Sequence, residues 1–256
     1  MIHPSAIIHP KAQLAEAIEI APYVLIGEHV CIDVGCTIGP HTVIDGHTQI
    51  GANNRFHGSC FIGCTPQDKK YQGEASRLQI GDNNDFFQFI TVAIGTDGGG
   101  GVTTIGDNNW LMAYVHVAHD CQIGSHTIFA NNVTLAGHVH IGDWAVLGGF
   151  TTVHQFCRIG CHALTAFTAA VAQDVLPYII AAGNRAVPRG INVEGLQRRG
   201  FDTETIRMLK EAYKMLYRQG LSLAQAQATL QQWVVDCPAL QAWLDFIPSA
   251  SRGLIR

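Results

Sequence analysis

One six-residue phase runs through most of the chain and leaves few folds open to it. Large apolar side chains stand at Ile2, Ile8, Leu14, Ile20, Ile26, Ile32, Ile38, Ile44, Ile50, Phe56 and Ile62, and return at Ile80, Phe86 and Val92. The phase restarts at Ile105 and continues through Leu111, Val117, Ile123, Phe129, Leu135, Ile141, Leu147, Val153 and Ile159; Thr165 misses it and Val171 resumes it. A helix repeats every 3.6 residues and a half-buried strand every two, so neither holds this phase. The residue after the apolar one is often Gly, read as a turn residue free of Cβ conflict, and the fifth is small or β-branched, as with Ala6, Val24, Cys36 and Thr42. A large inward residue, a turn and a small inward residue are the unit of a parallel β-helix.

The repeat resembles that of the hexapeptide-repeat acyltransferases over residues 1–178. That resemblance implies a left-handed parallel β-helix, an exception to the usual right-handed crossover. With three hexapeptides per coil it implies about ten coils, a prism near 48 Å long at roughly 4.8 Å per strand. Two segments depart from the pattern. Residues 64–79, CTPQDKKYQGEASRLQ, lose the inward side chains, and residues 95–103, GTDGGGGVT, stretch the interval from Val92 to Ile105 to thirteen. Both are expected as loops thrown out of a rigid scaffold, where binding groups collect.

After Val171 the pattern changes. Pro177 and Pro188 bracket a connecting segment, and Asp202 is placed to cap a helix carrying Ile206, Leu209, Tyr213, Leu216 and Tyr217, with Gly220 closing it. Ser222 with Gln225 forms a capping-box pattern before Leu230, Trp233 and Val234, and a third helix is expected over 238–246. The expected division is therefore a β-helix at 1–178 and, at 179–256, a connecting segment with a small C-terminal α-helical domain.

Composition removes other classes. Net charge is −4, with 16 Lys and Arg against 20 Asp and Glu, so no basic field exists to hold nucleic acid. No apolar run approaches the roughly 18–20 residues of a membrane span, and the start MIHPSAIIHP has neither the basic nor the apolar part of a signal peptide. A cytoplasmic protein is expected. The 8 Cys include no Cys-x-x-Cys pair; Cys36, Cys60, Cys121 and Cys157 fall at the small inward fifth position, where a thiol serves as a compact hydrophobe, while Cys31, Cys64 and Cys161 fall at more exposed phases.

Of the 13 His, His3, His9, His29, His41, His47 and His126 lie at turn phases with no visible partner and are read as decoration of the exterior. His116, His119 and Asp120 are expected on adjacent corners of one coil. Asp120 is placed to receive a ring N–H from His119, which leaves the other ring nitrogen to accept a proton. Gly137 stands eighteen residues after His119, one coil on, where an unhindered backbone N–H suits an oxyanion. His138 stands one coil beyond Asp120, and His154 is expected one coil further, making a polar column. The γ-class carbonic anhydrases share this kind of repeat and bind zinc with a His-x-x-x-x-His pattern; no two His here are five apart, so no metal is expected.

The stretch HVAHDCQIGSHTIFANNVTLAGHVHIGDWAVLGGFTTVHQFCRIG, with VAQDV, NVEGL at 192–196, RRGF at 198–201 and the terminal RGLIR, resembles the UDP-N-acetylglucosamine O-acyltransferase family over essentially the full length. The resemblance implies transfer of an (R)-3-hydroxyacyl chain from acyl carrier protein to the glucosamine 3-hydroxyl of UDP-N-acetylglucosamine, the first step of lipid A biosynthesis. It implies His119 as general base, Asp120 orienting it and the Gly137 N–H stabilising the oxyanion. Gln67, Asp68 and Lys70 match groups near the glucosamine; His116, His138, His154 and Gln155 match the sugar and phosphate region; Asn192, Glu194, Arg198 and Arg199 match the uridine diphosphate contacts. A homotrimer with its site between prisms is implied, with no metal or redox cofactor, and Arg198 and Arg199 are placed to steer the acidic carrier protein. The alternative is a divergent hexapeptide acyltransferase acting on a 3-amino or other nucleotide sugar; a metal-dependent hydratase or a non-enzymatic binding prism is a more distant reading. The chain departs from the family at QFITVAIGT, where Gln88 and Ala93-Ile94 stand for a Glu and a His-Arg pair, which puts the polar contacts of that coil in doubt. It departs again at Phe167, the acyl-chain ruler position, where a large ring implies a shorter donor.

Overall fold

A six-residue repeat has room for strands of two residues, and the computed structural model, which describes residues 1–256, is built mostly from them. Strands pair in parallel with those one coil on, His116 with Thr134 and Gln122 with His140, a register of eighteen. Three sheets result, of nine, eight and ten strands. In each coil the chain passes from the nine-stranded sheet round a first corner to the eight-stranded sheet, round a second corner to the ten-stranded sheet, and round a third corner back again.

The phase residues fill the prism. Ile38, Ile44, Phe86, Leu111, Phe129, Leu135 and Leu147 are wholly buried, and the Phe56 and Phe86 rings stack at 4.7 Å. Each such side chain contributes on the order of 1.5–3 kcal/mol by leaving water. Thr165, the residue that missed the phase, is tolerated because its hydroxyl lies 2.8 Å from that of Thr151. Cys36, Cys60, Cys121 and Cys157 are buried free thiols, and burial pushes Cys60 and Cys157 up to about 11 and Cys121 up to about 12, so they stay neutral. Some fifth positions at the second corner are polar: Asn54, Asn84 and Asn109 run into Thr127 as a buried ladder in which each side-chain oxygen accepts the next coil's N–H.

The glycines after the apolar positions have a different cause from the one expected. Left-handed φ falls two residues later, at nineteen non-glycine positions including His126, Trp144 and Phe156. Gly is needed where successive coils approach: a Cβ on Gly39 would lie 2.6 Å from the His57 carbonyl carbon, and one on Gly142 2.5 Å from the Cys161 nitrogen.

Both departing segments are shorter than their sequence bounds. Arg77–Ile80 and Val102–Ile105 are already strands paired with each other, and Leu78, placed in a segment expected to lack inward residues, is wholly buried. Pairing of the backbone with the coils on either side pulls these ends into the sheet. Residues 179–191, expected only to connect, form an antiparallel hairpin, Ile179–Ala182 with Val187–Ile191, that continues the ten-stranded sheet.

Four helices follow: α1 (Val193–Arg198), α2 (Thr203–Arg218), α3 (Leu223–Trp233) and α4 (Gln241–Phe246). Asp202 caps α2 by accepting from the Thr205 N–H, and the Ser222–Gln225 capping box opens α3. The helices cover the end of the prism, where buried Trp243 donates its indole N–H to the Pro177 carbonyl at 2.9 Å. Buried Asp174 ties the chain's last residues to the coils by accepting the N–H groups of Arg158 and Arg252. No helix is long and apolar enough to cross a membrane.

Candidate active site

Both departing loops leave the prism at the first corner, between Cys64 and Arg77 and between Ala93 and Val102, and the His119 turn occupies the same corner one coil later. Strict register thus gathers three irregular segments. His119 Nδ1 lies 2.8 Å from Asp120 Oδ2, so the ring gives its Nδ1–H to the carboxylate and keeps Nε2 as acceptor. The Asp120 side chain is sealed from solvent. Its Oδ1 accepts the Thr96 N–H at 2.8 Å and its Oδ2 the Thr96 hydroxyl at 2.7 Å, while its own N–H donates to Thr103 Oγ1. Sequence reading missed Thr96, which lies in the second loop twenty-four residues from its partner.

Gly137 lies on the next coil against the His119 ring. A Cβ there would come 2.6 Å from Cε1 and 2.7 Å from Nε2, and the Gly137 N–H makes no hydrogen bond within the chain. His138 meets His119 edge-on at 5.0 Å, with Nδ1 3.8 Å from Asp120 Oδ2. Burial holds His138 below the ordinary imidazole range despite the nearby Asp120, and burial lowers His116 as well. His116 stands in a strand and not at a corner as expected, because its backbone pairs with Thr134 one coil on, and its Nδ1 lies 2.6 Å from the Thr91 hydroxyl. Sulfur- and nitrogen-rich as the chain is, His119, Asp120 and His138 are its one grouping compact enough to compare with a metal site. Asp120 Oδ2 already accepts hydrogen bonds from the Thr96 hydroxyl and the His119 ring, so the carboxylate orients that ring.

The polar column ends sooner than expected. The residue one coil beyond His138 is Phe156, whose ring stacks on the imidazole at 4.4 Å; His154 stands two residues earlier in that turn, because a coil is eighteen residues and His154 is only sixteen from His138. His154 instead receives a guanidinium N–H of Arg252 at 3.2 Å. Arg252 was not singled out, although it belongs to the RGLIR signal. Gln155 occupies the column of His119 and Gly137, two coils from His119.

A cleft of about 590 Å³ lies beside the dyad, walled by Asp68, Lys70 and Tyr71 of the first loop, Asp97 of the second, and His138 with Phe156. Asp68 Oδ1 accepts the Lys70 N–H at 3.0 Å, and Gln67 is exposed next to it. A larger concavity of about 730 Å³ lies on the eight-stranded face near Ala12–Ala15, with no histidine in its lining and Asp33 as its one charged side chain.

Asn192, Glu194, Arg198 and Arg199 are not brought to this corner. Asn192 caps α1 and donates to the His162 carbonyl, and Arg199 lies 5.0 Å over the Trp144 ring, both at the second corner. Glu194 and Arg198 form an exposed ion pair along α1. Phe167 stands at the third corner, 66% exposed, with its edge toward Phe150 at 5.6 Å. At the sequence departure, Ala93 and Ile94 are buried, and Ile94 packs against Gly46, so apolar contact occupies that coil.

Residues 174–255 match the family model described as UDP-N-acetylglucosamine O-acyltransferase, domain 2, and residues 103–137 match the bacterial transferase hexapeptide repeat. A relative from Janthinobacterium sp. (strain Marseille), named an acyl-(acyl-carrier-protein)–UDP-N-acetylglucosamine O-acyltransferase, is 55% identical across 100% of this chain and 99% of its own. One of the same name from Herminiimonas arsenicoxydans is 54% identical over the same shares. Among solved structures, LpxA from Acinetobacter baumannii superimposes with a TM-score of 0.98 at 40% identity, covering 100% of this chain and 99% of that one. A UDP-N-acetylglucosamine acyltransferase from Bacteroides fragilis does so at 0.96 and 39%, covering 100% of both. A left-handed hexapeptide β-helix, a helical end and full-length identity above one half make this chain a member of the UDP-N-acetylglucosamine O-acyltransferase family.

Proposed function

We propose that the chain transfers an (R)-3-hydroxyacyl group from the thioester of acyl carrier protein to the glucosamine 3-hydroxyl of UDP-N-acetylglucosamine, opening lipid A biosynthesis, with His119 as general base. One observation carries this reading: an oriented imidazole lies against a glycine whose N–H is free. His119 Nε2 takes the sugar hydroxyl proton as the oxygen attacks the thioester carbonyl. The Gly137 N–H donates to the tetrahedral oxyanion. Collapse expels the carrier's thiolate, which takes the proton back from the imidazolium, leaving an ester and a free carrier thiol. No acyl-enzyme, metal or redox cofactor enters this sequence, since base, oxyanion donor and activated thioester supply each step.

The first-loop residues Gln67, Asp68 and Lys70, with His116, His138, His154 and Gln155, are assigned to the sugar and phosphates. Asn192, Glu194, Arg198 and Arg199 are assigned to uridine diphosphate. Since they occupy the second corner, they reach a first-corner site from a neighbouring prism, which supports a homotrimer with its sites between subunits. Arg198 and Arg199 then lie where they steer the acidic carrier protein. Residues 1–178 act as scaffold, the 179–191 hairpin extends its ten-stranded sheet and the remainder to 256 forms the helical end, and eight free cysteines are in keeping with the cytoplasm.

His119→Ala tests the assignment: transfer to UDP-N-acetylglucosamine falls by about 10²–10⁴ while circular dichroism is unchanged. Retained transfer overturns the base. Phe167 is assigned as an early stop for the acyl chain; Phe167→Gly moves preference across a ladder of hydroxyacyl carrier proteins toward longer donors, and an unchanged ladder removes that role.

A further inference from the structure

The glycine-rich second loop does more than border the cleft. Between Ala93 and Val102 the chain leaves the prism, and two of its residues close on one carboxylate. Thr96, 5% exposed, places its N–H on Asp120 Oδ1 and its hydroxyl on Asp120 Oδ2, at 2.8 and 2.7 Å. Gly99, three residues on, passes so close that a Cβ would lie 2.1–2.4 Å from the carboxylate atoms. Gly98, Gly100 and Gly101 have nothing within 4 Å of their Cβ positions, so contact within the run is confined to Gly99. Asp97 to Gly99 form a single turn in which the Gly99 N–H donates to the Thr96 carbonyl, fixing the two contacting residues relative to each other. The loop is itself anchored: the Ser76 hydroxyl donates to the Gly95 carbonyl, and Glu74 of the first loop accepts the Asp97 N–H.

We infer that this loop is a latch that positions the base, with Thr96 as its positioning residue and Gly99 as the contact that lets it close over Asp120. The inference rests on the base assignment made for His119. Asp120 has three donors, two from Thr96 and one from His119, and the carboxylate's plane decides the direction in which the imidazole's Nε2 is aimed. Without the Thr96 hydroxyl, Oδ2 keeps only the His119 donor, and the carboxylate turns about its remaining bonds. Its negative charge, no longer shared with that hydroxyl, falls more fully on the ring. The imidazole is then harder to deprotonate, as well as less well aimed. The other titratable groups facing His119 are His138 and His116, on the neighbouring coil and strand, and neither is touched by the change.

Purified full-length Thr96→Val, Thr96→Ser and Gly99→Ala are compared with wild type for kcat, KM for UDP-N-acetylglucosamine, and the pH profile of kcat/KM. Thr96→Val lowers kcat about 10-fold or more with KM within about twofold, and moves the acid limb of the profile to higher pH. Thr96→Ser, which keeps the hydroxyl, stays within about twofold of wild type. Gly99→Ala reproduces the kcat loss without removing a hydrogen-bonding group, and it carries the test if Thr96→Val fails to fold. Wild-type kcat and an unmoved acid limb in Thr96→Val overturn the latch, as does equal impairment of Thr96→Val and Thr96→Ser. An inactive wild type would instead strike at the assigned reaction, so the two failures are distinguishable.

Discussion

The first and second corners are built from the same hexapeptides and both present histidines, yet of the two only the first sets a histidine ring against a buried carboxylate. At the second corner His126, Trp144 and His162 stack in register, His126 on Trp144 at 4.0 Å, with Tyr178 beyond them. His162 Nδ1 is buried with no partner, and burial together with Arg199 holds the ring down to about 4, so it is neutral. At the first corner His119 has a buried carboxylate on one side and a missing side chain on the other. The repeat supplies equivalent positions, and chemistry arises where the residues one coil away leave room and charge in place of another ring.

Swapping the loss between corners gives the largest contrast. His119→Ala removes most of the transfer activity, whereas His126→Ala, which removes one ring of the stack, leaves kcat within about twofold; equal losses would erase the distinction. Next are two glycines. Gly137→Ala pushes a methyl into the His119 ring and lowers kcat about 10²-fold with little change in melting temperature. Gly142→Ala at the second corner pushes against backbone, and shows the opposite pattern of a lower melting temperature with kcat retained. A smaller effect is expected from acid. The folded His162 pKa lies below the ordinary 6.5, so the unfolded chain binds the proton first, and stability is lost as pH falls from about 6.5 toward about 4. His162→Phe recovers about 2–4 °C of the drop in melting temperature between pH 7 and 4.5, and an unchanged drop would place the acid sensitivity elsewhere. The smallest is Ser222→Ala in the α3 capping box, about 0.5–2 kcal/mol by chemical denaturation, with no effect at either corner.

The prism was legible because its rule is arithmetic: inward residues recur every six, and His119, Asp120 and Gly137 follow from counting eighteen. The same counting placed His154 wrongly by two residues. Other features obey no count. Thr96 reaches Asp120 from a loop whose path is set by its own turn and by Glu74 and Ser76. The hairpin at 179–191 forms because the last parallel strands leave an edge for it to pair with, which is a demand of the finished sheet and not of the local residues. Arg252 meets His154 only once the chain's last residues have folded back across ninety-eight positions.

The eighteen-residue coil also restricts how such a chain changes in length. An insertion of one residue within a strand turns every later inward side chain outward, and an insertion of six carries every later turn to the next corner, separating His119 from Gly137 if it falls between them. Only whole coils, or additions looped out at a corner as 65–76 and 94–101 are, leave the later register intact. Lengthening by loops at the first corner therefore adds material beside His119 without moving it, so new loop contacts and an unchanged His119–Gly137 column are compatible by construction.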